Sequence, residues 1–139
     1  ENDSLDILAY ELDYPFNAYP NKYLDDRIIE LFKRKKDISL SNYIKLIKKR
    51  NILIKKVNNF KKNYDFFITL SSTGPAPQLS DSTGSRHFQV PWTYLGLPSI
   101  SIPIMTVDNM PVGIQILGFK NNDYKIANIA NQIYKNFNK

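Results

Sequence analysis

The chain contains no cysteine, a single histidine, five glycines and one tryptophan in 139 residues. Without cysteine there is no disulfide framework, no thiolate nucleophile, no thiol redox chemistry and no Cys-based metal site. With His87 as the lone imidazole, a histidine metal cluster is excluded as well, and neither a metal nor a cofactor is expected. The glycines, at 74, 84, 96, 113 and 118, never occur in pairs. No Ser-x-x-Lys and no Gly-x-Ser-x-Gly elbow occurs, so two common serine-hydrolase arrangements are missing. Long apolar runs are also missing: no stretch could cross a bilayer, and no charged leader precedes an apolar segment. A chain that starts at Glu1 rather than Met is expected to be truncated, soluble and cytoplasmic, with no membrane partner.

What is present is a globular composition. Hydrophobic residues make up 42% and aromatics 13%, with nine Tyr and eight Phe, too apolar for a disordered chain. The net charge of +6, from 19 Lys and Arg against 13 Asp and Glu, raises nucleic acid as a partner. Its distribution argues otherwise. The cations cluster in Lys33-Arg34-Lys35-Lys36, Lys48-Lys49-Arg50, Lys55-Lys56 and Lys61-Lys62, inside segments of helical hydrophobic spacing, where a solvated helix face accounts for them. Nucleic-acid binding is therefore not expected.

The texture changes once, near Asn63, dividing a helical part (about 1–63) from a strand-rich part (about 64–139). Leu5, Leu8, Ala9 and Leu12 predict a helix from Asp3 that should end near Tyr14, ahead of Pro15. Leu24, Ile28, Leu31 and Phe32 predict a second within 23–36. Ser39 is placed to cap a third, over 40–60, whose broad apolar face runs from Tyr43 to Phe60 and leaves Ile44 and Ile52 off it. Phe66 to Leu70 reads as a strand buried on both sides. Residues 71–86 form a long loop by composition, and such loops are more often functional than structural. Ile100, Ile102 and Ile104, then Val112, Ile114 and Ile116, alternate on either side of Asp108-Asn109, predicting an antiparallel hairpin. Pro103 should stop the ladder or face a sheet edge. Asn121 or Asn122 should cap a last helix with Ile126, Ile129, Ala130, Ile133 and Phe137 buried.

The order of motifs carries a resemblance. Gly74-Pro75-Ala76-Pro77, then Pro91-Trp92-Thr93, then Gly96-Leu97-Pro98-Ser99-Ile100-Ser101-Ile102-Pro103, then Pro111-Val112-Gly113-Ile114-Gln115 resemble the C-terminal segment of amidase signature enzymes. The resemblance covers most of residues 1–139 and is strongest over 64–118. It implies an α/β fold: the C-terminal portion of the amidase signature fold, with N-terminal helices followed by mixed-sheet strands and a C-terminal helix, all parts of one domain. It also implies hydrolysis of a small-molecule carboxamide through an acyl-serine. In that family a serine nucleophile, a second serine and a lysine base do the chemistry, since a hydroxyl is too weak an acid to attack unaided. Those residues lie upstream of the region matched here. This chain has no Gly-Gly-Ser-Ser segment, so no catalytic residue is assigned to it, and the expected partner is the missing N-terminal part of the same protein.

For substrate binding the expectation falls on Thr83, His87, Phe88, Trp92 and Thr93, in the segment the resemblance sets beside the active-site cleft. Each has a plainer reading. Ser71, Ser72 and Ser82 to Ser85 suit turn formation, His87 a local hydrogen bond, and Phe88 and Trp92 core packing under a loop. Arg86 either recognises a carboxylate or faces water. The alternative function is a noncatalytic remnant or an amidotransferase-type subunit that acts by binding a partner, and a homo-oligomer is possible.

Overall fold

A computed structural model describes residues 1–78 and 84–137, and the chain falls into two compact units, Glu1–Leu53 and Ile54–Lys139. The first unit is helical. Helix α1 spans Asn2–Phe16 and helix α2 spans Asp26–Lys35, while α3, Leu40–Asn59, begins in this unit and continues past its boundary. The α1 helix does not stop at Tyr14 as expected. It runs on through Pro15, and Asn17 N–H bonds the carbonyl of Asp13 at 2.9 Å. A proline this close to a helix end removes one amide bond without breaking the last turn.

Capping decides the next two boundaries. Asp25 accepts the backbone N–H of Arg27 at 2.9 Å and starts α2 later than the apolar spacing from Tyr23 suggests. The Arg27 side chain, then its amide, hold the Asp25 carboxyl down at about 2. Ser39 caps α3 as predicted, accepting from Asn42 N–H at 3.2 Å. Ile44 and Ile52, the two residues off the apolar face of α3, are exposed. Three of the cations are ion-paired as well as partly solvated. Arg34 Nε donates to Asp6 at 2.6 Å, Lys35 Nζ to Asp13 at 2.9 Å and Lys49 Nζ to Asp3 at 2.5 Å, so an acidic stripe of α1 meets cations of α2 and α3. Tyr10 stacks on Tyr43 with ring centroids 4.3 Å apart, and the Tyr43 hydroxyl donates to Glu11 at 2.9 Å. That bond to Glu11, ahead of burial, raises the Tyr43 pKa.

The second unit is built on three antiparallel strands, β1 (Phe67–Leu70), β2 (Ser99–Val107) and β3 (Met110–Leu117), in the order β1-β3-β2. The hairpin is the predicted one. Asp108 and Asn109 both adopt positive φ, 51° and 61°, the geometry whose twist matches two paired strands. The ladder does not stop at Pro103. Pro103 pairs with Gly113, the register then shifts, and Met105 pairs with Val112. β2 is an edge strand, so a residue without N–H is tolerated there, and the bulge absorbs it.

Two helices complete this unit: a short one, α4 (Val90–Leu95), and the last, α5 (Asp123–Phe137). One face of the sheet packs on α5. Ile102 and Ile116 join Ile126 and Ala130 in the core, with Ile100, Ile104, Ile114, Ile129 and Ile133 packed around them. Burying side chains such as Ile116 and Ile126 completely stabilises by roughly 1.5–3 kcal/mol each. Phe137, expected in this stripe, is 64% exposed because it lies in the final turn. β1 also differs from expectation. It is not buried on both sides: Phe67 and Thr69 are half-buried, whereas Ile68 and Leu70 are 52% and 44% exposed, since α5 packs over β2 and β3 on that face.

Candidate functional site

The turn-rich segment after β1 begins with a firm attachment to the sheet. Ser71 N–H and Ser71 Oγ both donate to the carbonyl of Gly113, at 3.0 and 2.8 Å. Glycine is needed at 113 for this approach: a Cβ there would lie 2.7 Å from Ile102 O and 2.8 Å from Ser71 Oγ. The Gln89 side-chain amide in turn donates to Ser71 O, tying the far end of the segment to its start. Ser72 Oγ closes the next turn onto Gly74 O at 2.6 Å. Ser71 and Ser72 are therefore turn formers, as their plainer reading has it.

The two ends of the segment border an open cavity of about 610 Å³. One wall is Ser72 to Pro77, the other Gly84 to Arg86 with Gln89, and Pro111 from the hairpin closes it. The size suits a small molecule, for which pockets run to roughly 300–1,000 Å³. Proline at 75 and 77 fixes two backbone φ angles, so this wall is stiff without needing a regular element.

The short helix α4 follows the cavity, and the apolar spacing of the sequence does not reveal it. Its signals are Pro91 in the first turn and Gly96 after the last, where the chain turns left-handed at φ 62° and Gly96 N–H and Leu97 N–H cap back onto Thr93 and Trp92 carbonyls. Six residues are too few for hydrophobic periodicity to show. The helix carries Trp92 into an aromatic group, stacked on Phe67 at 6.3 Å, with Phe119 edge-on to Phe67 at 5.4 Å.

None of the described residues expected to bind substrate lines the cavity itself. His87 is exposed, with its N–H on Ser85 Oγ at 3.2 Å and its ring edge-on to Phe88 at 5.4 Å. Phe88 and Trp92 are half-buried and Thr93 is exposed. Thr83 lies outside the described residues. Arg86 and Gln89, on either side of His87 and Phe88, are the long polar side chains that line the wall. Among the described residues neither the Ser72 nor the Ser85 hydroxyl is bonded to a lysine or an imidazole, and no group of three His, Asp or Glu is placed to hold a metal ion.

Fold and motif order together define the class of protein. Residues 15–126 match the family described as Amidase, and the chain belongs to that family. A glutamyl-tRNA(Gln) amidotransferase subunit from Sulfolobus acidocaldarius is 29% identical over 100 residues, which are 67% of this chain and 21% of that protein. The subunit of the same name from Dehalococcoides mccartyi is 35% identical over 99 residues, covering 63% of this chain and 20% of its own length. The chain thus spans about a fifth of the curated relatives it matches. The crystal structure of an amidase matches 93% of this chain and 33% of its own length with a TM-score of 0.76 at 20% identity. The crystal structure of the corresponding amidotransferase subunit from Thermotoga maritima matches 92% and 31% at a TM-score of 0.63 and 23% identity. At these identities the structural likeness establishes the fold, a portion of the amidase signature α/β architecture.

Proposed function

We propose that this chain is the C-terminal part of a single-domain amidase that hydrolyses a carboxamide to an acid and ammonia or an amine through an acyl-serine, with the serines and lysine supplied by sequence upstream of Glu1. The observation that carries this reading is the cavity between Ser72–Pro77 and Gly84–Gln89, built by the Gly-Pro-Ala-Pro loop of an amidase-family chain. Among the described residues its wall has hydroxyls and no base bonded to them, which supports a role in binding. In this reading Thr83, His87, Phe88, Trp92 and Thr93 contact the substrate in the assembled enzyme, and the sheet on α5 supports the segment that carries them. The parent enzyme works in the cytoplasm without a cofactor.

The test is ammonia release from simple carboxamides. The 139-residue chain alone should show none, while a polypeptide extended upstream to include a lysine and a Gly/Ser-rich segment should hydrolyse, and should stop when its nucleophilic serine is replaced by alanine. Turnover by the isolated chain would sink the reading. A second reading, an amidotransferase-type subunit acting with a partner, is favoured by the curated relatives being amidotransferase subunits. It predicts amide transfer rather than release, seen only in the presence of the partner.

A further inference from the structure

The exposed face of α3 holds two kinds of side chain that hydration alone does not account for together. Between Asp37 and Asp65 the sequence has eight Lys and Arg and no Asp or Glu. Within α3, Ile44, Lys45, Lys48, Ile52, Lys55 and Lys56 fall inside an arc of about 120° and reach about 18 Å along the axis. They stand on one unbroken helix, so the arrangement follows from the helix itself. All six are exposed, Ile44 by 43% and Ile52 by 55%, whereas Tyr43 and Leu46 on the other side are half-buried. Lys49, at the margin of the arc, pairs with Asp3. The helix has no carboxylate of its own, so its exposed face is strongly cationic.

Water accounts for the lysines but not for two isoleucines set among them. A partner that complements this face must carry negative charge outside and apolar material just beneath. Nucleic acid supplies the charge, yet its bases are gripped by hydrogen-bonding groups and aromatic rings rather than by aliphatic side chains. A bilayer with anionic headgroups supplies both, because lysine stems lie along apolar surface with their ammonium groups at headgroup level, while branched aliphatic side chains enter the acyl boundary. We infer that this face of α3 docks on an anionic lipid bilayer, with Lys45, Lys48, Lys55 and Lys56 at the headgroups and Ile44 and Ile52 below them. The contact is peripheral and needs no spanning segment; among the described residues no helix is long and apolar enough to cross a membrane. It is independent of any amide chemistry.

The test is co-sedimentation of the 139-residue chain with vesicles of pure phosphatidylcholine and of equimolar phosphatidylcholine and phosphatidylserine, set beside fluorescence anisotropy with a single-stranded RNA. Saturable binding to the anionic vesicles is expected, weakening as salt is raised, with pure phosphatidylcholine at least about tenfold weaker. Each lysine at an anionic surface is worth about fivefold in binding, so Lys48→Gln/Lys55→Gln should bind about 25-fold more weakly. Ile44→Ser/Ile52→Ser should bind roughly tenfold more weakly, through lost apolar burial. Both double variants should keep the helicity of the parent in circular dichroism, because the four side chains are exposed. Ile68→Ser, an exposed apolar site on the sheet, should leave vesicle binding unchanged. No binding to anionic vesicles, equal binding to both kinds, indifference to the lysine pair, or loss of binding in Ile68→Ser would overturn the proposal. Sensitivity to the lysine pair without sensitivity to the isoleucine pair, or tighter binding to the RNA than to the vesicles, would overturn the bilayer as the occupant and assign the face to a polyanion with no apolar interior.

Discussion

Gly113→Ala tests the way the loop that walls the cavity is fastened to the sheet. The added Cβ would sit 2.7 Å from the carbonyl oxygen of Ile102 and 2.8 Å from Ser71 Oγ, where ordinary contacts begin near 3.4 Å. Ser71 Oγ can rotate away, at the loss of its 2.8 Å bond to Gly113 O, a bond worth about 0.5–1.5 kcal/mol. The Ile102 carbonyl cannot, since Ile102 is held opposite Ile114 in the ladder and is buried in the core. Overpacking of this kind costs roughly 1–3 kcal/mol. Against it, alanine restricts the unfolded chain and contributes about 0.4–1 kcal/mol to stability. The net expectation is a destabilisation of about 2 kcal/mol, which for a chain of this size lowers the melting temperature by roughly 4–8 °C. Differential scanning calorimetry reads this directly. The double variant Ser71→Ala/Gly113→Ala separates the two contacts: removing Oγ relieves one clash, and the other should keep the double variant below Ser71→Ala alone. If Gly113→Ala melts at or above the parent temperature, the close approach of the loop to β3 is wrong.

Ile102→Asp, which buries an unpaired charge, should cost more than about 4 kcal/mol and abolish soluble expression, whereas Ile68→Asp, at a site 52% exposed, should stay within about 0.5 kcal/mol of the parent. The two side chains point to the same face of the sheet, and equal tolerance of both would refute the packing of α5 over β2 and β3. Asp108→Val puts a β-branched residue at φ 51° and should destabilise by about 1–2 kcal/mol in a urea titration, while an unchanged midpoint would refute the left-handed turn. The Asp25 carboxyl, lowered from 3.8 to about 2, contributes stability that is present above its unfolded value and lost as pH falls through the folded one. Its NMR titration midpoint should lie near 2 and return toward 3.8 in Arg27→Ala, and a normal midpoint in the parent would remove the α2 cap as described.

Much of the chain is legible from local chemistry. Ser39 reads as a cap because a hydroxyl three residues ahead of a free amide has one obvious partner, and Asp108-Asn109 as a hairpin turn because those residues tolerate positive φ. The boundary expected at Tyr14 fails by two residues: Pro15 forfeits its own amide bond, and the helix still continues to Phe16, closed by Asn17 N–H on the Asp13 carbonyl. The short helix at Val90–Leu95 escapes a periodicity reading because its evidence lies in its ends, Pro91 and Gly96. In the candidate site the segment is legible and the particular side chains are not: Arg86 and Gln89 line the cavity, with His87 and Phe88 between them outside its lining.

Composition, periodicity and motifs, each read within a few residues, were enough for the order and type of the long elements, the antiparallel hairpin, the absence of thiol chemistry and the amidase resemblance. Long-range contact was required for the rest: β1 keeps one face open, Arg34, Lys35 and Lys49 meet acids of α1, and the Gly-Pro-Ala-Pro loop and Gly84–Gln89 face each other across a cavity. Each of these depends on residues far apart in the chain coming together, and the energy of a side chain is set by such neighbours, which no local pattern encodes.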